Sequence, residues 1–171
     1  MDFRTVDVPG LQWSASAKGP RNIQKVTIQT PRCNCTVSPA AGGARKVELR
    51  VPAAFGDFLD AIDDSAREAF EDSSGFYSST FNGRMRLMAF SDVLCFDAAG
   101  ALSQDPYAAK SAAVVLELGG TWSAGSKRGV RWKMAQMKFW DDAVEAQTDD
   151  DDEPAATAAT AATAAFAFLD D

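Results

Sequence analysis

A mainly β chain with one principal helix, an α+β fold of small-barrel or sandwich type, is predicted by three features of the sequence. Several segments alternate apolar and polar residues at period two, one segment alone shows the i, i+3, i+4 spacing of a helix, and both patterns stop after Trp140. With 171 residues and 46% hydrophobic side chains the chain can bury one core. One domain over residues 1–140 and a tail over residues 141–171 are therefore expected.

The first strand is expected within Ile23–Thr30, where Val26, Ile28 and Thr30 fall on one side. Pro31, Pro39 and Gly42-Gly43 read as the connection to a second strand, Arg45–Val51, whose Val47, Leu49 and Val51 alternate with Lys46, Glu48 and Arg50. From Pro52 the period changes. Phe55, Phe58, Leu59, Ile62, Ala66 and Phe70 form one stripe and Asp57, Asp60, Asp64, Glu68 and Glu71 the opposite one, which is an amphipathic helix with a solvated acidic face. After Ser73-Ser74-Gly75 comes the strand Arg84–Phe90, with Met85, Leu87 and Ala89 alternating against Arg84, Arg86 and Met88. A shorter strand, Val93–Phe96, ends in the turn Asp97-Ala98-Ala99-Gly100. Ala113–Trp122 places Leu116, Leu118 and Trp122 on one face. In Gly129–Trp140, Val130, Trp132 and Met134 share a face and Met137 and Phe139 the other, so parity switches at Ala135-Gln136. Such a switch marks a bulge that bends a strand around a barrel. Five or six short, strongly bent strands and one helix suit a barrel or sandwich better than a parallel α/β sheet.

Charge is distributed unevenly along the chain. All 17 Lys and Arg lie at or before Lys138, against 14 acids through Trp140, so that part carries +3; the remaining 10 acids give residues 141–171 a charge of −10. Such asymmetry is the pattern of an acidic interaction tail on a domain with a basic site. The tail combines the block Asp149–Glu153 with an Ala/Thr repeat, so it is expected to be disordered. It closes on Phe166, Phe168, Leu169, Asp170 and Asp171, three bulky apolar residues and two acids that read as a docking peptide on a spacer.

Several chemistries are poorly served. Histidine is absent, which removes the usual base for Ser or Cys nucleophiles, and Cys33, Cys35 and Cys95 alone make a structural zinc site improbable. No metal, no cofactor and no catalytic residue is expected. The cysteines read as small reduced thiols near a strand end, and no segment approaches the ~18 apolar residues of a membrane span. A soluble intracellular chain is expected. An enzymatic alternative would use Asp63-Asp64, Asp92, Asp97 or Glu117 to hold Mg²⁺ as in a nuclease, although their spacing does not support it.

Basic and aromatic residues interleave where the strands are most regular. Lys127 and Arg128 occupy a Gly/Ser loop, Arg131 and Lys133 flank Trp132, Lys138 follows on the same strand, and Arg84 and Arg86 repeat the two-residue step elsewhere. Cations at that step track a phosphate backbone, and nearby rings stack unpaired bases at about 1–3 kcal/mol each. Trp122 and Trp132 can serve as stacking rings or as core. Phe76, Tyr77 and Phe81, in a polar stretch before a strand, are further stacking candidates.

The segments IQTPRCNC (Ile28–Cys35), the Phe- and acid-rich helix, GFYSS and the pair LELGGTW…GVRWKMAQMKF resemble the OB-fold single-stranded DNA-binding proteins of large DNA viruses of algae and protists. The likeness covers most of residues 20–140. It implies an OB-like barrel whose concave face, carrying Arg131 and Lys133 and then Arg84 and Arg86, holds single-stranded DNA. The acidic tail is similar to those of bacterial and phage single-strand binders, which implies recruitment of replication proteins and competition with DNA, although here the last residues are acidic rather than aromatic. DNA and RNA are not distinguished by these residues, and homo-oligomerisation is left open. The alternative is a non-enzymatic viral structural or scaffold barrel whose tail docks a partner.

Overall fold

The computed structural model describes residues 2–14, 21–22, 25–70, 74–103 and 105–144, and every structural statement below concerns these. In chain order the strands are β1 (Trp13–Ser14), β2 (Arg21–Asn22), β3 (Thr27–Gln29), β4 (Cys33–Pro39) and β5 (Arg45–Arg50). Helix α1 (Ala53–Glu68) follows, then β6 (Phe76–Tyr77), β7 (Thr80–Phe81), β8 (Arg84–Ala89), β9 (Leu94–Phe96), β10 (Ser111–Ala124) and β11 (Lys127–Trp140). The fold is mainly β with one principal helix. No described helix is long and apolar enough to cross a membrane.

β1 and β2 form a separate ribbon, and the other strands form one sheet along the path β6-β11-β10-β4-β5-β8-β7, with β3 added to β10 and β9 to β11. β6 and β9 run parallel to β11, and the remaining pairings are antiparallel. The sheet curls until β8 comes across from β11.

Three irregularities produce that curl. β10 pairs first with β4 (Ser111↔Asn34) and then with β3 (Val115↔Gln29). Thr30 fills the gap, its N–H donating to the Val114 carbonyl at 2.9 Å and its hydroxyl accepting from the Val114 N–H at 3.0 Å. Pro31 has no N–H with which to continue the ladder, so the strand turns a corner there. On β11, Ala135 is the extra residue between Met134↔Leu116 and Gln136↔Val115, a bulge where the parity switch predicts one. It returns Met137 and Phe139 to the side of Val130 and Met134, and all four are buried. The third shift lies on β10 between Leu118 and Thr121, where Gly120 takes a φ of 92° that favours glycine. It overturns the expectation that Leu116, Leu118 and Trp122 share a face. The extra residue leaves Leu118 opposite Trp132 and carries Trp122 to the other side.

Other expectations are corrected by length and context. β10 and β11 are 14 residues each, not short strands. The stretch read as a connection contains β4, whose buried Cys33 and Cys35 alternate with Asn34 and Thr36 and which pairs with β5 from Asn34↔Arg50 to Pro39↔Arg45. Its cysteines are free, and burial pushes the Cys33 thiol up to about 12 and the Cys35 thiol up to about 11, so both stay protonated and unreactive.

α1 buries Phe55, Phe58, Leu59, Ile62 and Ala66 as its spacing requires, each large side chain contributing about 1.5–3 kcal/mol. The Phe3 ring meets those of Phe55 and Phe58 at 5.0 and 5.4 Å. The helix ends at Glu68, so Phe70 lies beyond it, edge-on to Phe76 at 6.0 Å. One acid of the helix, Asp63, is buried rather than solvated.

The first residues after Trp140 are held to the sheet. Asp142 forms an ion pair with Arg32 at 2.7 Å and accepts at its carbonyl from the Ser111 hydroxyl at 2.6 Å, while Asn34 exchanges hydrogen bonds with the Val144 backbone at 2.7 and 3.0 Å. The Arg32 guanidinium holds the Asp142 carboxyl below the usual carboxylate range. The docking peptide Phe166, Phe168, Leu169, Asp170 and Asp171 lies outside the described residues, as does the Asp149–Glu153 block.

Candidate nucleic-acid interface

On its second edge β11 pairs with β6 at Arg128 and Gly129 and with β9 from Gln136 to Lys138. Between these pairings, among the described residues, residues 130–135 have no ladder partner on that side. A cleft of about 810 Å³ opens at this seam between β11 and β8. Its walls bring together Arg84, Arg86 and Met88 from β8, Arg131, Trp132 and Lys133 from β11, Trp122 from β10, Phe76 and Tyr77 from β6, and Phe81 from β7.

The local sequence explains the placement. In β8 the strict alternation buries Met85, Leu87 and Ala89 and leaves Arg84, Arg86 and Met88 exposed. In β11 it buries Val130 and Met134 and exposes Arg131 and Lys133. Across the sheet the same face carries rows in register: Asn34, Arg50 and Arg84, then Thr36, Glu48 and Arg86. The cationic side of β8 thus continues over β5 onto β4.

The cations differ in how they are held. Glu48 takes both arginines of β8, Arg84 at 2.6 Å and Arg86 at 2.9 Å, and their hydrogen bonds hold its carboxyl below the usual carboxylate range. Lys133 reaches Asp92 at 3.5 Å, an exposed and therefore weak pair. Arg131 makes no ion pair with another described residue, and its aliphatic stem lies over Gly119, 3.5 Å from where a Cβ would stand. Lys127 sits at the rim, 5.3 Å from the Tyr77 ring.

The rings fall into two groups. Tyr77 and Phe81 are exposed, Phe81 by 70%, whereas Phe76, Trp122 and Trp132 are half-buried. Phe76 and Trp132 pack in part against the core. Trp122 lies 6.2 Å from Tyr77, and the Trp132 indole N–H donates to the Ser79 hydroxyl at 3.0 Å.

Three of the expected cations do not line the cleft: Lys127, which only approaches its Tyr77, and Lys138 and Arg128. Lys138 lies at the far end of β11, 5.7 Å from the Trp140 ring that also receives Arg32 at 4.5 Å. The bulge at Ala135 and the pairing with β9 separate it from Arg131 and Lys133. Arg128 is directed at the Phe70 ring, 5.5 Å away. Sequence reasoning missed Phe90 and Met88, which line the cleft at 59% and 42% exposure. The signal was present, since both share the parity of Arg84 and Arg86. It also missed Ser79 and Glu48 and named Asp92 only as a metal candidate, because only the fold shows that Ser79 meets Asp63 and Trp132, Glu48 meets Arg84 and Arg86, and Asp92 meets Lys133.

The carboxylates considered for metal binding are dispersed. Asp63 is tied to Ser78 and Ser79, Asp92 to Lys133, and Asp97 to the Ala101 N–H at 2.9 Å. Among the described residues no three Cys, Asp or Glu side chains come together as a metal site.

No protein-family model and no curated protein matches this chain. Solved structures do. The single-stranded DNA-binding protein gp2.5 encoded by bacteriophage T7 is 15% identical, with a TM-score of 0.49 over 75% of this chain and 93% of that one. A C-terminal truncation of the single-stranded DNA-binding protein from bacteriophage Enc34 is 10% identical, with a TM-score of 0.48 over 85% and 98%. The Enc34 protein in complex with single-stranded DNA is 11% identical, with a TM-score of 0.43 over 86% and 99%. These are phage proteins; an origin among viruses of algae and protists receives no support from them.

Proposed function

We propose that the cleft binds single-stranded DNA without reading its sequence and without covalent chemistry. One observation supports this above all. Four cations, Arg84, Arg86, Arg131 and Lys133, and the exposed rings of Tyr77, Phe81 and Phe90 line one cleft, with Trp122 and Trp132 at its wall. Cations attract a phosphate backbone and rings stack bases, and only unpaired bases are free to reach the rings. Bound in this way the protein acts by occupancy. It holds unwound DNA extended and protected during replication, repair or recombination, while the acidic tail competes with DNA and recruits partners. The tail leaves the described fold at Val144, beside Asn34, which is in register with Arg50 and Arg84.

The test is a titration of fluorescent single-stranded and duplex oligonucleotides across a range of salt. Tight, salt-sensitive retention of the single strand and weak retention of the duplex are expected. Replacing Arg131 and Lys133 together by Ala should flatten the salt dependence by about 0.7 per lost phosphate contact, or about 1.4 in all. An unchanged slope in a folded double variant places the backbone elsewhere.

Glu48 provides a separate check. Its carboxylate competes with phosphate for Arg84 and Arg86, so Glu48→Gln is expected to tighten binding at neutral pH and steepen the salt dependence by up to about 1.4. Protonation has the same consequence. Because the folded-state value is depressed, the ion pairs contribute stability above the ordinary carboxylate range and are lost as pH falls through Glu48's lowered value. The affinity gain of the Gln variant should therefore vanish in acid. A gain that persists there, or weaker binding by the variant at pH 7, means that Glu48 orients the arginines rather than competing for them.

A further inference from the structure

Asp63 occupies a position where the helical stripe calls for an apolar side chain, between Ile62 and Ala66, and only 1% of it is exposed. A buried carboxylate needs compensation, and here no cation supplies it among the described residues. Instead the two residues between β6 and β7 donate three hydrogen bonds: the Ser79 N–H at 2.5 Å, the Ser79 hydroxyl at 2.7 Å and the Ser78 hydroxyl at 3.0 Å. Burial raises the acid's proton affinity, while these donors pull it down.

The direction of each bond is fixed by chemistry. An indole N–H can only donate, so the Ser79 oxygen accepts from Trp132 and must spend its own hydrogen on Asp63. One carboxylate thereby holds both the connection from β6 to β7, which carries Tyr77 and Phe81 at its two ends, and the indole of Trp132, from a helix that contributes no residue to the cleft wall. We infer that Asp63, acting through Ser79, is a positioning residue that holds Trp132 and the Tyr77–Phe81 segment in place to receive bases. The inference rests on the proposed binding of single strands by the cleft. Rings fixed before binding lose less freedom on association than rings that must be ordered by the ligand.

Ser79→Ala breaks the relay at its centre with little loss of volume, Ser79→Thr retains the hydroxyl, and Asp63→Asn removes the charge while keeping the shape. Two readouts are needed: hydrogen exchange of the Trp132 indole N–H by NMR, with Trp122 and Trp140 as internal references, and single-strand affinity as a function of salt. Ser79→Ala and Asp63→Asn should expose the Trp132 N–H to faster exchange and weaken binding about tenfold, the worth of roughly one stacking platform. The salt slope should not change, because no cation is removed. Ser79→Thr should restore both readouts. A folded Ser79→Ala variant with a freely exchanging indole and wild-type affinity overturns the positioning role, and so does an indole that stays protected in that variant. If Asp63→Asn fails to fold, the Ser79 pair alone decides. A wild-type chain that binds no single strand rejects the function proposed for the cleft and the positioning role with it, whereas failure of the relay alone leaves wild-type binding intact.

Discussion

A chain carrying Phe81→Ala and Phe90→Ala together is expected to bind single strands on the order of a hundredfold more weakly, at about 1–3 kcal/mol for each ring lost, and to melt at the wild-type temperature. The two rings are 70% and 59% exposed and line the cleft from opposite ends of β8, so their removal leaves no cavity in the core. Surface substitutions of this kind usually change stability by less than about 0.5 kcal/mol. The salt slope should stay as it was, since the phosphate contacts survive. Anisotropy titrations and a thermal melt measured on the same preparation check both halves. Unchanged affinity means that bases do not stack in this cleft, and a large fall in melting temperature means that the rings serve the fold.

Deletion of residues 145–171 is the second large effect. The cut is placed after Val144 because Asp142 and Val144 are bonded to Arg32, Ser111 and Asn34, and removing them would disturb the sheet. The truncated chain carries 17 cations and 16 acids, a net of +1, while the deleted segment carries eight acids and no cation. Tethering on the same chain is expected to raise the effective concentration of these carboxylates at the arginines, even though each exposed contact is weak. At low ionic strength the truncated chain should bind single strands more tightly, on the order of tenfold, with the advantage fading as salt screens the tail. Removing only Phe166–Asp171 should leave most of the competition and abolish partner recruitment. Equal affinity of full-length and truncated chains at low salt rejects competition.

Period-two patterns located β5, β8 and β11 and their buried faces, because a strand between core and solvent must alternate; β10 was located as well, but its residues 111–116 are buried on both faces. The helix was legible for the same reason. The Ala135 bulge was legible because it disturbs a pattern that is otherwise regular. The Gly119-Gly120 irregularity was not, since glycines carry no side chain to reveal parity, and Trp122 was assigned to the wrong face as a result. β4 was hidden because Cys, Asn, Thr and Ser alternate with too little contrast in polarity. For the site, Arg84, Arg86, Arg131 and Lys133 were found from their spacing, but Glu48 and Ser79 depend on pairings 36 to 53 residues apart in the chain. Asp63 reads in the sequence only as a candidate metal-binding carboxylate beside Asp64, and becomes a buried acceptor only when the segment joining β6 and β7 closes over it.

The edge of β11 at residues 130–135, which has no ladder partner among the described residues, also bears on edge-to-edge pairing between copies of the chain. Exposed N–H and C=O groups on a strand edge are a template for another strand, and a regular apolar edge invites sheet-to-sheet growth. Here that edge is guarded at both ends, by β6 and by β9, and is bent at Ala135. Between the guards, Arg131 and Lys133 present like charges to any second molecule approaching in the same way. The residues proposed to hold phosphate would thus also oppose edge-to-edge aggregation. An uncharged cleft would sacrifice colloidal stability along with affinity, so ligand binding and solubility press for the same two side chains.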